Sequence, residues 1–149
     1  GGVTWAQLKV FVPCVVLGIF ISVLLMKPLN ALLLGETYAH SMGVNVRSTR
    51  VFIIFGSSLL SGTVTAFCGP VAFIGIAVPH LCRLIFRTSD HRVLVPGVLF
   101  IGATLALAAD LISQLPGSQM VLPLNAITSL IGAPVVIWII VKRRQGLEV

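Results

Sequence analysis

Long apolar runs separated by short polar ones organise this chain. Five stretches reach or approach the roughly 20 apolar residues needed to cross a bilayer core. They are residues 8–26, 51–68, 71–86, 93–115 and 124–141. The third is short and contains Pro79, and the fifth is interrupted by Gly132, Ala133 and Pro134. Apolar residues do not alternate with polar ones at a period of two, so helices are predicted and barrel strands are not. Residues 31–47 are too polar and too short to span. The pattern predicts an all-α integral membrane protein with about five transmembrane helices and one short helix outside the bilayer.

Composition strengthens this picture. Of 149 residues, 57% are hydrophobic and 9% charged, with a mean hydropathy of +1.08. A soluble domain carries about 25% charged residues, so a water-soluble globule is excluded. Net charge is +6, from 10 Lys/Arg against 4 Asp/Glu. A nucleic-acid partner would need these cations on one face of a folded domain. Here they stand at the ends of apolar runs, and no nucleic-acid partner is expected. Lys27, Arg47 and Arg50 lie between the first two runs; Arg87 and Arg92 lie between the third and fourth, with Arg83 just before; Lys142, Arg143 and Arg144 follow the fifth run. Gly69-Pro70 and the 116–123 connection carry no Lys or Arg. Positive residues stay on the cytoplasmic side. That rule puts the charged loops and carboxyl terminus in the cytoplasm and the amino terminus outside.

Residues 1–146 read as a single transmembrane domain, and Leu147, Glu148 and Val149 read as a possible remnant of an expression linker. The start at Gly1-Gly2 without Met suggests the second part of a longer chain. Cys14, Cys68 and Cys82 have no metal-like spacing and read as small buried hydrophobes. Gly56, Gly62 and Gly75, with small neighbours, suit close helix approach in lipid.

The polar stretch Ala31 to Asn45 (ALLLGETYAHSMGVN) carries the most information. Leu34, Tyr38 and Met42 share one helical face, and Gly35, Ala39 and Gly43 recur at spacings of four. Glu36 suits the first turn of a helix, where an anion meets the positive end of the dipole. Gly43 suits a left-handed cap. Such a helix either lies on the lipid interface or docks a cytoplasmic partner. Asp110 is an ionisable residue within a span, a functional candidate that competes with a simple capping role. His80 has no second ligand at three or four residues, so no metal site is expected. No GxxxxGK[ST] loop, Ser/His/Asp set or HExxH is present. No catalytic residue or cofactor is therefore expected, and any ATP hydrolysis belongs to another chain.

The polar stretch resembles the coupling loop of permeases in binding-protein-dependent ABC importers, the FecCD family. Gly69-Pro70-Val71-Ala72-Phe73-Ile74-Gly75 followed by Val78-Pro79-His80-Leu81-Cys82-Arg83-Leu84 resembles that family's GPIGFIGL…PHIxRL signature. Asp90-His91-Arg92 with Pro96-Gly97 resembles DHR…PG. Ala109-Asp110, Leu122-Pro123-Leu124 and Gly132-Ala133-Pro134 with Trp138 resemble AD…LPxG…GAPxF. The likeness runs in register from about Trp5 to Arg144. It covers the carboxyl-terminal five spans of a ten-span type II importer permease.

The resemblance implies a transmembrane permease in the bacterial inner (cytoplasmic) membrane. Its partners would be an ABC ATPase subunit, a periplasmic or lipid-anchored substrate-binding protein, and a second permease copy. The cargo would be a metal chelate such as a ferric siderophore, haem or cobalamin. Leu34, Gly35, Glu36, Tyr38, Ala39, Met42 and Gly43 would couple to the ATPase. Arg83, Arg87, Asp90, His91 and Arg92 would make cytoplasmic contacts. Asp110 and Gln114 would face the binding protein. Gln114 stands where some members have Arg, so a charged contact is replaced by a neutral one. Asn125 stands where LPxG has Gly; it either faces the pathway or caps a helix. The alternatives are a small stand-alone scaffold or channel with a partner-binding loop, and a folding unit without activity of its own.

Overall fold

A computed structural model describes residues 4–114 and 124–145. The expected 116–123 connection with Leu122-Pro123, Leu115 at the end of the fourth run, and the residues at both chain ends lie outside the described residues. Among the described residues the structure is all-helical. It divides into two compact units, residues 1–70 with 90–95 and residues 71–89 with 96–149.

The first unit opens with α1 (Trp5–Leu24). Gln7 Oε1 accepts the Thr4 N–H at 3.2 Å, which closes the first turn as in a capping box. α1 stops at Leu25, and α2 (Met26–Leu33) follows. After the short α3 (Glu36–Ser41) comes α4 (Val46–Cys68), the longest helix of the unit. α1 and α4 pack as the main pair. Gly18 lies directly under the Leu60 side chain, and a Cβ at Gly56 would meet Ile21 Cγ2 at 2.9 Å. Small residues here let the helices approach, as expected where lipid removes the hydrophobic drive between them. At the other end of this pair, the Phe11 and Phe67 rings meet edge to face at 5.4 Å.

The second unit holds α5 (Ile74–Phe86), most of α6 (His91–Ser113) and α7 (Leu124–Gln145). Phe73 precedes α5 at φ 67°, a left-handed conformation costly for a bulky side chain. A Cβ at Gly132 of α7 would lie 2.5 Å from Phe73 Cβ, so the two backbones are as close as glycine allows. α6 and α7 run through Pro96 and Pro134 as helices. The Gly132-Ala133-Pro134 interruption therefore does not end the last span; neighbouring groups can accommodate proline in such helices.

Among the described residues four helices are long and apolar enough to cross a membrane: α1, α4, α6, and α7 over Asn125–Arg144. The third expected run is shorter as a helix than as an apolar stretch. Val71 to Phe73 stay non-helical, leaving 13 residues in α5. Such a helix rises about 20 Å, short of a core about 30 Å thick. Many large apolar side chains face outward, with Leu107 and Leu111 each 70% exposed, which suits lipid or further helices and does not suit water.

Candidate functional site

The polar segment between α2 and α4 folds as a small structure of its own. Gly35 at φ 105° separates α2 from α3, a backbone geometry that only glycine adopts cheaply. Ala39 in the middle of α3 is completely buried and forms a core with Ala31 of α2 and Val46 of α4. Leu32 and Val44 close over it. Gly43 takes φ 81°, and the Val44 N–H returns to the Ala39 carbonyl at 3.0 Å, the pattern of a left-handed helix end. Asn45 then caps α4, its Oδ1 accepting the Ser48 N–H at 3.1 Å. α3 is thus fixed to the amino end of a membrane-length helix.

Glu36 sits in the first turn of α3 and pairs with Arg50 of α4. Tyr38 and Met42 are exposed, at 51% and 60%. One expectation changes here. Leu34 does not share a continuous helical face with them, because it ends α2 and the chain turns at Gly35. It is nevertheless exposed, at 66%, beside the start of α3. The segment therefore offers apolar side chains and one paired carboxylate to a partner.

A second polar cluster lies within the same unit. Asn30 of α2 donates from Nδ2 to Asp90 Oδ1 at 2.6 Å. Its own Oδ1 accepts the His91 N–H at 2.8 Å and lies 2.8 Å from His91 Nδ1. Asp90 Oδ1 also accepts the Arg92 N–H at 2.8 Å, which caps α6. That backbone N–H, then the Asn30 amide, hold the Asp90 carboxyl below its ordinary range, with help from the Arg92 and His91 charges. Both bonds favour the ionised form. Asp90, His91 and Arg92 stand out in the sequence, and Asn30 does not. Nothing local to Asn30 marks it, since its partners are 60 residues away.

The remaining candidates belong to the second unit. Arg83 lies in the last turn of α5, and Arg87 follows it at φ 50°; both are exposed. Gln114 Nε2 donates to Asp110 Oδ2 at 2.7 Å, so these two exposed residues form one polar pair at the end of α6. Asn125 Oδ1 accepts the Ala72 N–H at 3.0 Å, and the Asn125 carbonyl accepts from Thr128 Oγ1 at 3.1 Å. Asn125 thereby ties the non-helical segment before α5 to the first turn of α7. Among the described residues no three His, Cys, Asp or Glu side chains come together as metal ligands would.

The profile of the FecCD transport family matches residues 1–142. The chain is 35% identical over 142 residues to the ABC transporter permease protein YvrB of Bacillus subtilis, covering 95% of this chain and 40% of that protein. It is 36% identical over 144 residues to the vitamin B12 import system permease protein BtuC of Klebsiella pneumoniae, with 97% and 43% covered. BtuC of Salmonella newport is 37% identical over 142 residues, with 95% and 43% covered. The chain thus spans about two fifths of the length of these relatives. A family profile matched over nearly the whole chain, together with the ordered motifs and membrane-length helices, makes this chain a member of the FecCD transport family.

Proposed function

We propose that this chain is the part of an ABC importer permease that carries the coupling loop. The carrying observation is the small core of Ala31, Ala39 and Val46. It fixes α3 to α4, so a displacement of α3 is borne as a rigid-body movement and not absorbed by a loose loop. A separate ATPase would grip the exposed Leu34, Tyr38 and Met42, with Glu36 fixing register. ATP binding and hydrolysis there would move α3 and repack the spans, opening the pathway alternately to each side of the membrane. ATPase contacts on the cytoplasmic face would extend to Arg83, Arg87 and Arg92.

On this reading α5, with the non-helical residues beside it, completes five crossings, and the loops rich in Lys and Arg face the cytoplasm. Two permease copies would line the pathway, and a substrate-binding protein would deliver cargo near Asp110 and Gln114. The cargo is a metal chelate such as cobalamin, haem or a ferric siderophore. The relatives named for vitamin B12 import support the first of these. Asn125 would lie beside the pathway. A passage with few charges suits a large chelate that must leave as readily as it enters.

The test is co-purification of the cognate ATPase with the permease. Glu36→Arg is expected to lower ATPase recovery strongly. The double swap Glu36→Arg with Arg50→Glu restores the ion pair within the loop but not the outward-facing carboxylate. It is expected to remain defective. Undiminished recovery with the single variant sinks the docking role of Glu36.

A further inference from the structure

We propose that Asn30 is a positioning residue for coupling, a latch that makes the first turn of α6 follow the α2–α3 segment when that segment moves. The proposal rests on the importer reading and assigns a part of its machinery. Asn30 uses both ends of its amide. Nδ2 donates to the Asp90 carboxylate, and Oδ1 accepts the His91 N–H at 2.8 Å. The two bonds hold the two residues that begin α6, and Asp90 in turn caps the helix through the Arg92 N–H. A hydrogen bond to a charged group is stronger than a neutral one.

Packing holds this turn on one side only, through the buried Leu94. A groove of about 200 Å³ runs along α1, α2 and α4, with Ser22, Leu29, Ser57 and Val95 among its lining residues. At Val95 the turn therefore borders unfilled space. Pro96 follows immediately and has no N–H to give the Arg92 carbonyl, so the helix ladder is weakest just beyond the turn. The polar bridge adds a directional constraint to the single apolar anchor at Leu94. α2 continues into α3 through only Leu34 and Gly35. A pull on α3 thus reaches Asn30 within one short helix, and the bridge passes it to Asp90 and His91.

The experiment uses the permease purified with its ATPase, lacking its native cysteines and spin-labelled through cysteines at His40 and Val93. Both sites are exposed. Wild type is expected to keep one interlabel distance in the nucleotide-free and ATP-trapped states, because the two segments move together. Asn30→Asp keeps the acceptor for the His91 N–H but sets a second carboxylate against Asp90. Its interlabel distance is expected to shift by several ångströms between the two states. Asn30→Asp combined with Asp90→Asn rebuilds the bridge with its polarity reversed, and is expected to restore the nucleotide-independent distance. A merely structural bridge would change the distance equally in both states. That result overturns the proposal, as does an Asn30→Asp trace identical to wild type, or a double variant no better than the single one. Failure of the wild-type permease to retain the ATPase sinks the importer reading, and the latch with it.

Discussion

The segment from Leu25 to Arg50 and the α5–α7 pair solve the same problem with different materials. The first is held by caps, an ion pair and a small alanine-centred core. The second is held by close approach, Gly132 against Phe73, with one side-chain amide at Asn125. The difference follows from solvent. A polar segment in water must satisfy its helix ends from within, because short helices there are marginal. Helices in lipid have their backbone bonds already, and gain from fitting tightly. Substitutions that remove a hydrogen bond should therefore weaken the first region modestly, and those that add volume should damage the second severely.

The largest expected effect is at Gly132. Alanine there places a methyl 2.5 Å from Phe73 Cβ, an atom that no rotamer change can move. Phe73 is already at positive φ, so the segment has little room to retreat. Gly132→Ala should cost about 1–3 kcal/mol, in the range for overpacking, and lower the thermal midpoint of the detergent-solubilised protein. Gly75 and Gly62 have nothing within 4 Å of a built Cβ, so alanine at either should leave the midpoint near wild type. Equal losses at all three positions would mean that close approach is not what holds α5 to α7.

Asn125 comes next. Removing its amide leaves the Ala72 N–H without its partner, at a cost of about 1–2 kcal/mol if water does not replace it. Asn125→Ala should lower the midpoint less than Gly132→Ala, and Asn125→Asp, which keeps the acceptor, should recover most of the difference. Asn45→Ala should be milder, about 1 kcal/mol for a lost helix cap, seen as faster amide exchange in the first turn of α4. Asp90 follows, because a fully exposed carboxylate is screened by water. Its folded-state pKa is depressed, so its contribution is present above the ordinary carboxylate range and fades as pH falls through the lower folded value. Asp90→Asn should flatten that acid limb of the stability curve.

The apolar runs made four membrane-length helices legible, since length and hydropathy are properties of consecutive residues. The Gly43 cap and Glu36 in the first turn of α3 were legible for the same reason. α4 begins earlier than its apolar run because Asn45 caps it ahead of the polar turn of Arg47, Ser48 and Arg50, and a hydropathy window does not count capped polar turns. α5 is shorter than its run because Phe73 takes a left-handed conformation that no propensity announces. The face drawn through Leu34, Tyr38 and Met42 missed the break at Gly35, where helical spacing continues in sequence but not in space. Gly56, Gly62 and Gly75 looked alike as packing residues; only Gly56 has a neighbour, Ile21, within contact distance. Asn30 was invisible, because its meaning depends on what the fold brings beside it.

The smallest stability effect should be at Glu36, and it sharpens the comparison most. Its ion pair with Arg50 is the most conspicuous charge contact of the polar segment, yet the two side chains are 64% and 63% exposed. Exposed pairs contribute about 0–1 kcal/mol. The core beneath, Ala31 with Ala39 and Val46, does not include either side chain of the pair. Glu36→Gln should therefore leave the thermal midpoint nearly unchanged, at low salt and at high. The same variant removes a negative charge from the outer side of α3, so ATPase recovery should fall and the salt sensitivity of the association should weaken. A midpoint that drops as far as it does for Asn45→Ala, with ATPase recovery unchanged, would make Glu36 a folding residue and leave Leu34, Tyr38 and Met42 to carry the docking. A residue that barely matters to folding but decides a partner's affinity is what separates a docking surface from a scaffold.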